Sequence, residues 1–140
     1  MNNLVDFYQL KPGDRIVTPL FQTQVSKHHI IYAGRDEVGR DWFIENRVFH
    51  GVRLFGLEEF QTIAKAISRI ERFPGNEFQR EMAVRRAMNL IGKSYNLVSY
   101  NCEHFANEVQ CGVAKSDQVA TAALCLAGFA LFKLFTTAEK

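Results

Sequence analysis

The sequence predicts an α+β fold: a small antiparallel sheet packed against helices. The first half alternates short β-branched runs with Pro, Gly and Asp turn signals. The second half carries two helical patterns, each opened by an asparagine. At 140 residues and 47% hydrophobic, the chain is long enough for one packed domain.

Residues 1–9 read as a lead-in. Pro12-Gly13-Asp14 is a turn, because proline presets φ and glycine accepts left-handed geometry. Arg15 to Thr18 is a strand, and 19–26 a connector. His28 to Ala33 is a second strand with β-branched centre positions. Gly34 to Arg40 is a charged hairpin loop, and Asp41 to Glu45 its partner strand. Arg47 to Phe49 and Gly51 to Phe55 form a short strand pair or a bend. Leu57 to Lys65 places Leu57, Phe60, Ile63 and Ala64 at helical spacing. Ile67 to Phe73 is extended, and Pro74-Gly75 ends it.

Asn76 then opens a helix, with Gln79 placed for a capping box. Phe78, Met82, Ala83, Ala87, Leu90 and Ile91 form its expected apolar face, and Gly92 stops it. A last helix starts after Asn101, buries Phe105, Ala106 and Val109, and stops at Gly112. From Val119 to Phe132 no residue is charged, and Lys115 and Lys133 bracket the run. A spanning helix needs about 20 apolar residues. This run is shorter, although a lysine can snorkel. The expected domains are 1–118 and 119–136, the second a hydrophobic C-terminal helix that would serve as a membrane anchor. A buried core helix is the competing reading.

A net charge of +2 argues against a nucleic-acid binder, which would carry a basic stripe. Three cysteines without a close pair exclude a zinc-like cluster, so no metal and no cofactor is expected. Reduced thiols suggest a cytosolic face. Met1 to Asp6 lacks the pattern of a secretory signal. Cys111 and Cys125 are expected to pack as small hydrophobes.

The chemistry centres on Asn101-Cys102-Glu103-His104-Phe105. Asn101 can accept from the first unpaired N–H groups of the helix. Cys102 then sits in the first turn, where the macrodipole favours an anion. A thiolate is that anion, and it is the nucleophilic form. Lys27 to Gly34 puts His28 and His29 on a strand as candidate bases. Strand alternation sends them to opposite faces, so only one of them is expected to meet Cys102. His104 lies about 200° around the helix from Cys102 and reads as structural. His50 reads as a turn residue and Arg85-Arg86 as a solvated face.

Ile91 to Val109, with Gly112 to Val119, resembles the cysteine block of the lecithin:retinol acyltransferase family. Leu10 to Asp14 and the His28 to Gly34 strand resemble its histidine block. The family includes phospholipase A/acyltransferase proteins and bacterial or viral 2A relatives. It is a permuted branch of the NlpC/P60 thiol-hydrolase superfamily, with a papain-like core. The resemblance implies Cys102 as nucleophile and His28, rather than His29, as base. It implies that a polar group on the adjacent strand orients the imidazole. That position is often histidine in relatives and is Glu45 here. A hairpin register shifted by one would select Asn46 instead. Ser26 stands where vertebrate relatives carry an aromatic residue, and those relatives have a hydrophobic anchor at the tail.

The function so implied is a thiol-dependent phospholipid acyl hydrolase or acyltransferase at the cytoplasmic face of a membrane. It would work through an acyl-thioester, with a glycerophospholipid or other acyl substrate as partner. The alternatives are an NlpC/P60-type amidase or peptidase, and a non-enzymatic interaction module.

Overall fold

The computed structural model describes residues 3–20 and 26–120. The strands are β1 (Arg15–Pro19), β2 (Lys27–Arg35), β3 (Asp41–Arg47), β4 (Gly51–Gly56) and β5 (Arg69–Glu71). The helices are α1 (Leu4–Phe7), α2 (Leu57–Ile63), α3 (Glu77–Asn89) and α4 (Cys102–Cys111). The strands form one antiparallel sheet in the order β4-β3-β2-β1-β5. The fold is α+β.

Both faces of the sheet are covered. On one, Ile31, Ile44 and Val52 pack against Ala83 and Ala87 of α3 and Phe105, Ala106 and Val109 of α4. On the other, Ile16, Ile30, Tyr32, Phe43 and Phe55 pack with Val5 of α1 and Phe60 of α2. Phe43 and Phe60 stack with ring centroids 4.1 Å apart. The open edge of β4 is satisfied by the segment after α3. Val52 N–H donates to the Lys93 carbonyl at 2.9 Å, and Gly92 N–H to the Val52 carbonyl at 2.8 Å. Gly51 makes that approach possible: at φ +68°, a Cβ there would lie 2.5 Å from the Lys93 oxygen.

Several expectations need correction. The lead-in contains α1, capped by Asn3, whose side chain accepts from Val5 N–H. The expected apolar face of α3 is rotated: Phe78, Met82 and Ile91 are exposed, whereas Arg80 is buried with Ala83 and Ala87. Arg80 turns inward because a buried carboxylate calls for it. Asp14 accepts from Arg80 Nη1 at 2.8 Å, Arg72 Nη1 at 2.9 Å and Phe73 N–H at 2.9 Å. Arg86 is not simply solvated; its guanidinium donates to the Val109 carbonyl near the end of α4. Cys111 is exposed rather than packed. Cys125 and the tail from residue 121 lie outside the described residues. Among the described residues, no helix is long and apolar enough to cross a membrane.

Candidate active site

Helix α4 begins at Cys102 because Asn101 caps it. The Asn101 Oδ1 accepts from Glu103 N–H at 3.0 Å and His104 N–H at 3.1 Å. The His104 ring closes the box: its Nδ1 accepts from Asn101 N–H at 3.1 Å. That acceptor role needs a neutral imidazole, and burial holds the His104 pKa below its ordinary value against an opposing pull from Glu103. The cap carries the segment after α4 as well. Glu103 Oε2 accepts from Ser116 Oγ and from Gln118 N–H.

The two histidines take opposite faces. His29 pairs with Val17 and turns toward α4. There its Nδ1 accepts from Arg15 Nε at 2.8 Å, and Arg15 Nη1 reaches Asn107 of α4 at 2.6 Å. Burial, then the Arg15 charge, pushes the His29 pKa down to about 2, so this ring stays neutral. His28 pairs with Thr18 and turns to the face of α1 and α2. It nevertheless neighbours Cys102, because α4 starts at the end of the sheet where β2 begins. The Cys102 thiol points at the Lys27 carbonyl, 3.6 Å away, a long contact. The His28 side chain lines the same groove as the thiol. The sulfur sits at the strand end, within reach of the ring on the other face.

Glu45 stands on the His28 side. His28 Nε2 lies 2.6 Å from Glu45 Oε2, and Glu45 is fully buried. With Nε2 engaged, Nδ1 is the nitrogen left for the thiol. A bulge in β2 between Tyr32 and Gly34 makes this pairing. Before the bulge Ile30 pairs with Glu45; the register beyond it, Gly34 with Trp42, would have put Asn46 there. Asn46 instead faces α4 and donates to the Tyr100 carbonyl at 2.8 Å.

Burial alone would lower the His28 pKa. The hydrogen bonds and negative charges of Cys102 and Glu45 outweigh it and push the pKa up to about 9. Burial would raise Glu45, but His28 and Arg53 hold its pKa below the usual carboxylate range. At neutral pH the His28 ring is thus an imidazolium against the Glu45 carboxylate. Arg53 is the residue that sequence reasoning missed. It faces Glu45 directly across β3 and β4. A signal existed: an acid and a base stand at equal distances from the 47–51 hairpin turn.

Cys102 and His28 open into a groove of about 1160 Å³. Leu20, Ile63, Tyr95, Leu97 and Val119 contribute to its walls. Asn46 and Ser26 also reach it. His50 lies in the β3–β4 turn, with Nδ1 3.1 Å from the Val48 carbonyl. Among the described residues, no group of three or more His, Cys, Asp or Glu side chains could hold a metal ion.

Fold and site define a small α+β protein with a helix-start cysteine beside a strand histidine. A family model described as lecithin retinol acyltransferase matches residues 43–115, just over half of the chain. The chain belongs to the lecithin retinol acyltransferase family. It is 55% identical over 38 residues to phospholipase A and acyltransferase 3 of Homo sapiens, covering 26% of this chain and 24% of that protein. The mouse (Mus musculus) protein of the same name is 47% identical over 55 residues, 36% of this chain and 34% of the relative. Phospholipase A and acyltransferase 2 of Homo sapiens is 38% identical over 69 residues, 48% and 40% of the two chains. The matches thus span no more than two-fifths of the length of these relatives.

Proposed function

We propose that this chain is a thiol-dependent phospholipid acyl hydrolase or acyltransferase, with Cys102 as nucleophile, His28 as acid–base and Glu45 as orienter. The observation that carries the reading is the line Cys102, His28, Glu45 at a largely apolar groove. The names of the relatives, phospholipase A and acyltransferase, agree with it.

The Cys102 thiolate attacks the ester carbonyl carbon of a glycerophospholipid. Its electron pair forms the C–S bond, and the carbonyl π pair moves onto oxygen. The Cys102 N–H is a suitable donor for that oxyanion. Asn101 takes up the Glu103 and His104 N–H groups and its carbonyl takes Phe105 N–H, while Cys102 N–H has no partner among the described residues. Collapse expels the glycerol oxygen, which takes the proton from His28. Neutral His28 then removes a proton from water, or from an amine or hydroxyl acceptor. That nucleophile attacks the thioester, and the thiolate leaves to pair again with the imidazolium.

An apolar groove suits an acyl chain better than the polar backbone of a peptide, which favours this chemistry over an amidase or peptidase. A non-enzymatic interaction module would have no use for a buried Glu45–His28 pair. The order His28, Glu45, Cys102 along the chain agrees with a permuted NlpC/P60-like core over residues 1–118. The uncharged run from Val119 would hold that core at the cytoplasmic face of a membrane. Intact-protein mass spectrometry after incubation with phospholipid tests the chemistry. It should show an acyl adduct on the protein that Cys102→Ser lacks. Adducts at equal level in both would end the nucleophile assignment.

A further inference from the structure

The mouth of the groove is rimmed by apolar side chains that water reaches. Phe49 is 100% exposed, Leu97 70%, Val98 67%, Val48 45% and Leu20 44%. All five line the groove that holds Cys102. They come from separate places: the end of β1, the β3–β4 turn and the loop before α4. Single exposed apolar residues are ordinary, but five around one opening are not.

Phe49 is the most telling. It adopts φ +66°, a left-handed conformation that bulky residues rarely take. Strain of this kind persists where the surrounding fold imposes it and clusters at functional sites. Its outcome here is a phenyl ring displayed wholly to solvent.

Cations flank the same opening. Lys27 and Arg47 line it, and Arg47 is held loosely, 3.8 Å from Glu45 and 3.9 Å from Glu59. Val119, where the uncharged run of sequence begins, also lines it. Apolar rings and chains beside Lys and Arg are the composition that enters the boundary between headgroups and acyl chains.

We propose that the rim formed by Leu20, Val48, Phe49, Leu97 and Val98 docks the groove directly onto a lipid bilayer, with Lys27 and Arg47 meeting anionic headgroups. The occupant rests on the phospholipid reading above: an acyl chain passing from bilayer to Cys102 then never crosses water. This contact is separate from any anchoring by the tail.

The test uses the full chain. Trp42 is the sole tryptophan, so Phe49→Trp in a Trp42→Phe background reports on the rim alone. Val38→Trp in the same background is the control. Val38 is 73% exposed in the β2–β3 loop, at the opposite end of the sheet. Vesicles of phosphatidylcholine with phosphatidylglycerol should shift the position-49 emission to the blue, and brominated lipid should quench it. The shift should weaken as salt rises or phosphatidylglycerol is removed. Position 38 should not respond. An unchanged position-49 emission with all vesicles overturns the proposal. So does emission already blue in buffer, which would mean that the chain itself covers the rim. Adding Cys102→Ser separates this surface from the chemistry, since docking should persist in a protein that forms no acyl adduct.

Discussion

Arg53 stands directly across the sheet from Glu45 and grips its Oε1 through Nε at 2.9 Å and Nη2 at 2.6 Å, leaving Oε2 to His28. The imidazole is therefore oriented by a carboxylate that is itself held in place. His28 and Arg53 both hydrogen-bond the one buried anion, which keeps Glu45 from taking the His28 proton.

Arg53→Ala should leave Glu45 buried with one partner fewer. Breaking a fully buried pair costs about 3–5 kcal/mol. Arg53 keeps some contact with water, so about 2 kcal/mol is the expected loss, read by denaturant unfolding. Acyl-enzyme formation should fall about tenfold to a hundredfold, less than removal of the base itself. Arg53→Lys should recover only part of this, because an ammonium cannot make the forked contact. A variant with wild-type rate and stability would show that Glu45 needs no support.

The raised His28 pKa has a definite sign. A group whose folded pKa lies above its unfolded value stabilises the fold while it is protonated. Here the contribution is complete below about 6.5 and is lost as pH rises through about 9. On the proposed mechanism, acylation should follow the imidazolium and decline through the same upper range, since the leaving oxygen would take its proton. Cys102→Ala removes the first of the groups that raise it. NMR of the ring protons should show the His28 midpoint falling in that variant, with the fold intact and His29 neutral throughout. A midpoint near 6.5 in the unaltered protein, or no change on losing the thiol, contradicts the coupling of His28 to Cys102 and Glu45.

His28 and His29 should fail in different ways. His28→Ala removes the proposed acid–base group, with an expected loss of about 10²–10⁴ in rate. His29→Ala removes the acceptor of a buried Arg15 N–H, so stability falls by about 1–3 kcal/mol. Rate per folded molecule should be little changed in the second variant. Thermal melting beside acylation kinetics separates them. Loss of chemistry in a stably folded His29→Ala protein would reverse the assignment.

The strands were legible because turn residues and β-branched runs mark them, and helix α4 because Asn101 announces it. What sequence patterning missed depends on distant partners. Arg80 reads as surface until Asp14, far off in the chain, is found beneath it. Phe78 reads as core until that same arginine turns the helix. The choice between Glu45 and Asn46 hung on the bulge before Gly34, which alternation alone does not reveal. Arg80→Ala should therefore cost about 1.5–3 kcal/mol, since Asp14 loses one arginine but keeps Arg72 and the Phe73 N–H. Phe78→Ala should change stability by no more than about 0.5 kcal/mol. The opposite order in unfolding experiments would restore the apolar face read from the sequence.

The tail calls for a cut at a particular place. Sequence alone sets the domain end near Gln118, but the segment just beyond is tied to the α4 cap. Gln118 N–H donates to Glu103, Val119 N–H to Ser116 Oγ at 3.3 Å, and Ala120 N–H to the Ser116 carbonyl at 3.2 Å. Gln118 Oε1 also accepts from Lys27 N–H at 3.5 Å, beside the thiol. Deleting residues 121–140 should leave these bonds, the melting temperature and the groove intact. Deleting from 116 onward should strand the Glu103 carboxylate and loosen the cap that presents Cys102. If the uncharged run is an anchor, the shorter deletion should sharply reduce flotation with liposomes. The residue should be a salt-sensitive binding that Phe49→Ser abolishes, since the rim remains. A 121–140 deletion that aggregates or melts far lower would mean that the run covers a face of the domain, and the anchor reading would fall.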